Sequence, residues 1–225
     1  MDDFLAVAVK DIPYVVIALL ISFTLHELAH AYTAYLLGDP TPKEQGRLTF
    51  VPHKHLDPIG FIAIFIVGFG WAKPVEVNPD NFSKPRRDDI LVSLAGPAAN
   101  LLIVAFTFVV WYGAIALGIG ELVSKSTYDI LYTFFDNIVY LNIALFVFNL
   151  LPIPPLDGFH IAKGMFLTEE ARDKVEAAES GIGLIAVIII ASGVGDALFG
   201  PIFDFFIPGI FNVFDSFFAK LFGLL

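Results

Sequence analysis

Long apolar stretches separated by short polar ones set the pattern of this chain. Residues 12–37, 90–117, 130–151 and 181–203 each come close to the roughly 20 apolar residues a helix needs to cross the hydrocarbon core of a bilayer. A fifth run, 207–225, carries Phe211, Phe214, Phe217, Phe218, Leu221 and Phe222 at helical spacing, and either crosses or lies along the interface. Residues 59–70 are too few to span. Gly60, Gly68 and Gly70 mark this run as irregular backbone tucked against protein, where its polar groups can be satisfied. The pattern predicts an all-α polytopic membrane protein, with four to five transmembrane helices and a short re-entrant or β-hairpin element between the first two. It reads as a single membrane-embedded domain over residues 1–225, with a core at 12–160 and C-terminal helices at 181–225. The first run contains two histidines and a glutamate, and no small-residue cleavage site follows it, so it is expected to stay in the mature protein rather than act as a signal peptide.

Composition agrees with a lipid solvent: 57% of residues are hydrophobic and 16% charged, too little polar surface to cover a soluble domain of 225 residues. The formal net charge of -10 argues against nucleic acid as a partner, because phosphate binding needs a basic patch. Without cysteine, any metal must be held by His, Asp, Glu or backbone groups. The distribution of positive charge adds an orientation. If residues 59–70 re-enter, then Lys43, Arg47, Lys54, Lys73, Lys84, Arg86, Arg87, Lys163, Arg172 and Lys174 share one face. Lys and Arg collect on the cytoplasmic side, so the N-terminus is expected outside and the ends of the first and third spans inside. Residues 169–179 read as a charged cytoplasmic helix.

Candidate chemistry lies within the first span. In His26-Glu27-Leu28-Ala29-His30 the two imidazoles are one helical turn apart, project from the same face and can ligate one ion with Glu27 beside it. In a soluble helix such a pattern is as often two surface histidines and a solvated glutamate. Ionisable groups at membrane depth are costly unless they face a protein interior and do something there. A catalytic zinc commonly takes three protein ligands and keeps a fourth position for water. The longer soluble motif is absent, since Thr33 and Leu36 stand where it needs Gly and His. The remaining polar candidate is Asp157, on the proline-stiffened turn Pro152-Ile153-Pro154-Pro155-Leu156-Asp157-Gly158. A transporter or metal-handling protein would use the same three ligands but give Glu27 no task. A catalytically inactive binder of membrane clients is a further alternative.

Together with Ala95-Gly96-Pro97-Ala98-Ala99-Asn100 and Asn149 through Gly158, the first motif makes the chain resemble the site-2 protease family of intramembrane zinc metalloproteases. Gly70-Trp71-Ala72-Lys73-Pro74-Val75 and His55-Leu56-Asp57-Pro58-Ile59-Gly60 are similar to its short bacterial and archaeal branch. The resemblance implies a zinc cofactor on His26, His30 and Asp157, Glu27 as catalytic base, and a transmembrane protein as substrate in a prokaryotic cell membrane. The PDZ and CBS modules of many members do not fit in this length. Asn149 is expected to contact substrate backbone or the developing oxyanion, with helix-helix contact as the alternative. Asn100 is expected to be helix-helix glue and His55 a surface loop residue outside the ligand set. Ser22 and Thr33 are expected to line a water path, and residues 46–51 and 75–78 to offer an edge for an unwound substrate strand.

Overall fold

The computed structural model describes residues 6–191 and 193–224. The regular elements of the described chain are helices: α1 (Ile12–Leu36), α2 (Thr41–Glu44), α3 (Pro58–Val67), α4 (Pro85–Ala116), α5 (Ile119–Leu122), α6 (Lys125–Asn149), α7 (Asp157–Phe166), α8 (Glu169–Ala191) and α9 (Gly193–Leu221). Local chemistry sets most of the boundaries. Pro13 lies in the first turn of α1, where a missing N–H is harmless. The Asp57 carboxylate caps α3 by accepting from the Ile59 and Gly60 amides at 2.9 and 2.8 Å. Gly68 ends the same helix with φ +74°, a backbone region that favours glycine. Ser124 caps α6 through the Thr127 amide.

Among the described residues, four helical segments are long and apolar enough to cross a membrane: Ile12–Leu36, Pro85–Ala116, Lys125–Asn149 and Ala197–Leu221. The first three coincide with the runs expected from the sequence. The fourth is displaced, because residues 181–203 are divided between α8 and α9, and α8 opens with the charged turns from Glu169 onward. The apolar remainder of α8 is too short to cross alone. The fourth crossing therefore includes most of the Phe-rich stretch whose placement the sequence left open. Between α1 and α4 the described residues hold the ten-residue α3 and one isolated antiparallel bridge, Leu56 to Ala72, with no strand. Gly60 lets α3 lie against Trp71, since a Cβ there would overlap the Trp71 backbone and ring.

Helix α4 is central and packs against α1, α6, α7 and α9. On one side, buried Phe108 is surrounded by Phe135 of α6 and by Phe211, Phe214 and Phe218 of α9, with ring centroids 5.2 to 6.0 Å apart. Lipid tails are as apolar as these rings, so the gain is close-packed dispersion rather than escape from water. On the other side, α4 carries Gly96 and Asn100 toward α1. Buried Asp39, just past α1, ties that helix to the approach to α4. It accepts from the Thr41 amide and hydroxyl, the Asn78 amide and the Asn81 side chain at 2.6 to 3.1 Å. Burial alone would raise the Asp39 carboxyl, but these donors hold it below its usual range. The result fixes the end of α1 against the segment that leads into α4.

Candidate metal centre

His26 and His30 stack edge to face on α1, with ring centroids 4.7 Å apart and Nε2 atoms 3.0 Å apart. Asp157, the first residue of α7, brings Oδ2 to 3.3 Å from His26 Nε2 and Oδ1 to 3.4 Å from His30 Nε2. Ligand atoms of the three residues lie within 4.8 Å of one another, a grouping that could hold a metal ion. Two glycines make this approach possible. A Cβ on Gly96 would overlap both imidazoles, and a Cβ on Gly158 would overlap the carbonyls of Leu150 and Leu151 in the turn that presents Asp157.

The hydrogen bonds behind the imidazoles fix their tautomers. His30 Nδ1 lies 2.7 Å from the Val92 carbonyl, which can only accept, so that nitrogen carries the proton and Nε2 presents its lone pair. For His26 the constraint passes through three helices. The Ile138 carbonyl takes a hydrogen from Asn142 Nδ2 at 2.8 Å, which leaves Asn142 Oδ1 to accept from Asn100 Nδ2 at 2.9 Å. Asn100 Oδ1 then accepts from His26 Nδ1 at 2.7 Å. In the neutral rings that a metal requires, both Nε2 atoms then meet the Asp157 carboxylate with lone pairs outward. Asp157 Oδ2 is buried and has no hydrogen-bond partner among the described residues. Acceptors converging without a donor repel one another, and a cation removes the repulsion, so these residues fit a divalent metal.

Glu27 is bonded to the loops that follow α1. Its Oε2 accepts from the Val75 amide at 3.0 Å and lies 3.5 Å from Arg47 Nη2. Asn149 is half-buried at the end of α6 and donates Nδ2 to the Leu145 carbonyl of its own helix at 2.9 Å. His55, expected at the surface, is instead fully buried, with Nε2 2.7 Å from the Thr49 carbonyl. Burial lowers its pKa, the Thr49 carbonyl opposes this, and nearby Arg47 adds to the lowering. Ser22 is also fully buried and donates to the Ala18 carbonyl at 2.6 Å, so it lines no water path. The expected strand edge is partly engaged already, since the Val75 and Asn78 amides and the Thr49 carbonyl all have partners.

Sequence reading missed Asn100 as the partner of His26, and took Arg47 only as a marker of membrane side. Two asparagines in apolar spans were a usable signal, because buried amides need partners. The Val92 carbonyl left none, as a backbone acceptor has no residue signature. Beside the centre runs an apolar cleft of about 1040 Å³ between α1, α4 and α6, with Leu28 and Ala29 on its wall and Phe106 and Val110 facing them.

A model of peptidase family M50 matches residues 14–191. A Bacillus subtilis relative, YwhC, whose name assigns it provisionally to the zinc metalloproteases, is 42% identical over 221 residues, covering 98% of this chain and 100% of its own. Rip2 of Mycobacterium tuberculosis, named in the same way, is 29% identical over 193 residues, covering 83% of this chain and 70% of its own. Rip2 of Mycolicibacterium smegmatis is 28% identical over 192 residues, with the same coverage of each chain. No solved structure matches the chain.

Proposed function

The chain belongs to peptidase family M50, the site-2 protease family, and from that premise we propose that it is a zinc endopeptidase cleaving transmembrane protein substrates within the bilayer. One observation carries the reading. Two Nε2 lone pairs, fixed by their Nδ1 bonds to Asn100 and Val92, meet the Asp157 carboxylate without an intervening donor. That set matches the His and carboxylate ligands of a catalytic zinc site, which leaves a position open for water. The intramembrane part rests on His26 and His30 lying inside a helix long and apolar enough to cross, and on the apolar cleft alongside.

His26, His30 and Asp157 would hold the ion, and zinc there supplies Lewis acidity toward a carbonyl and a water with pKa near 7. Glu27 takes a proton from the attacking water as its oxygen adds to the scissile carbonyl carbon. When the C–N bond breaks, Glu27 returns that proton to the departing amine, so no covalent acyl-enzyme is needed. Asn100 and Val92 hold both Nδ1 hydrogens and so keep each Nε2 aimed at the ion. Asn149 would serve the substrate backbone or the oxyanion with the Nδ2 hydrogen that its Leu145 bond leaves over. The positive charge bias supports a cell-membrane protein with its N-terminus outside and the site toward the cytoplasm.

The test is reconstitution in liposomes with single-span substrates. Cleavage inside the span, lost on chelation and restored by zinc, is the expected result. Ion flux without any cleavage would sink the reading. A second measurement probes the support behind the ligands. Asn100→Ala removes the His26 Nδ1 acceptor and is expected to weaken zinc binding by about 10- to 100-fold in chelator competition. Unchanged affinity would mean that the three-helix relay does not tune the site.

A further inference from the structure

Outside the ligand set, Arg47 is a buried charged side chain, only 3% exposed and within reach of Glu27. Its backbone amide donates to the Pro42 carbonyl at 2.8 Å, which anchors it close to the end of α1. Nη1 donates to the Lys54 carbonyl at 2.7 Å, and Nη2 donates to the Lys73 carbonyl. These two segments are themselves joined, because the Lys73 amide donates to the His55 carbonyl at 2.9 Å. Two residues beyond Lys73, the Val75 amide donates to Glu27 Oε2 at 3.0 Å, and Arg47 Nη2 lies 3.5 Å from that same oxygen. A buried cation is costly unless paired, and the carboxylate within ion-pair distance is Glu27. A planar fork can serve two carbonyls and a carboxylate at once, whereas an ammonium on a flexible stem cannot keep all three in register.

We propose that Arg47 is a positioning residue for the catalytic base, its guanidinium and the Val75 amide together fixing Glu27 Oε2 so that the carboxyl keeps one orientation beside the metal site. The proposal rests on the reading of Glu27 as base. The Arg47 guanidinium contacts Glu27 and the Lys54 and Lys73 carbonyls rather than His26, His30 or Asp157, and it acts through the carboxylate and the 73–75 segment. Its loss should therefore slow turnover while leaving metal and substrate binding in place. A loop staple alone would instead change folding, metal content or KM.

The experiment compares wild type, Arg47→Lys, Val75→Pro and Glu27→Gln, each reconstituted with zinc and a single-span substrate. Zinc per chain, melting temperature, kcat and KM are measured for each. Arg47→Lys keeps the charge but loses the fork, and kcat is expected to fall about 10- to 100-fold with KM within about twofold and zinc unchanged. Val75→Pro removes one amide hydrogen from the half-buried Val75 and should lower kcat in the same way, which keeps the proposal testable if Arg47→Lys fails to fold. Wild-type kcat in either folded variant, or a loss confined to KM or zinc content, overturns the proposal. Glu27→Gln separates the two readings: if it still cleaves, the base assignment fails, and if it is inactive while Arg47→Lys is fully active, only the role of Arg47 falls.

Discussion

Glu27→Gln is expected to bind zinc like the wild type and to cleave about 10²- to 10⁴-fold more slowly, the range for loss of a positioned general base. The substitution tests chemistry rather than shape. A glutamine has the same outline, and its carbonyl oxygen can still accept from the Val75 amide and lie near Arg47, as Oε2 of Glu27 does. What it lacks is the ability to take a proton from water and return it to the departing amine. The barrier should rise by about 3 to 5 kcal/mol, with KM little altered because the base acts after substrate has bound. Single-turnover cleavage of a reconstituted substrate, alongside zinc content by mass spectrometry, reads both sides of the prediction. Near-wild-type cleavage would remove Glu27 from the mechanism. Loss of zinc in this variant would mean that the carboxylate supports the ligands rather than the reaction.

Asp157→Ala should have the larger effect on the metal. The carboxylate places an oxygen 3.3 and 3.4 Å from the two imidazole Nε2 atoms and is the only carboxylate in the ligand group among the described residues. Its removal leaves two neutral ligands where a catalytic zinc commonly needs three from the protein. Zinc per chain is expected to fall well below one after dialysis, and cleavage to fall to background. The fold should survive. Alanine suits the first turn of α7, and the turn before it keeps its own bonds, Ile153 to Leu151 at 2.8 Å and Leu156 to Ile153 at 2.9 Å. Retention of one tightly bound zinc by a folded Asp157→Ala protein would show that the third ligand lies elsewhere.

These two residues were accessible to sequence reading for different reasons. Glu27 is legible because the spacing of His26 and His30 is local, and a helix turns any spacing of four into a shared face. Asp157 required more: few polar groups lay at suitable depth, and its turn is stiffened by three prolines. Arg47 shows where such reading stops. As one of several basic residues in loops it served only as a marker of membrane side, yet in the fold it is buried against Glu27. His55 is similar, a loop histidine by sequence and a fully buried one by packing.

The sequence by itself determined that the chain carries several stretches apolar enough to cross, which face of the first holds the imidazoles, and that no thiolate could join them. These properties depend on side-chain type and on spacing within a few residues, and the backbone repeats them faithfully. Only the tertiary structure decided that residues 181–203 are divided between two helices, that Asn100 and the Val92 carbonyl accept from the imidazole Nδ1 atoms, and that Arg47 meets Glu27. Each depends on which distant segments share a contact. That is set by close packing across α1, α4, α6 and the intervening loops, and packing partners far apart along a chain leave no periodic trace in it.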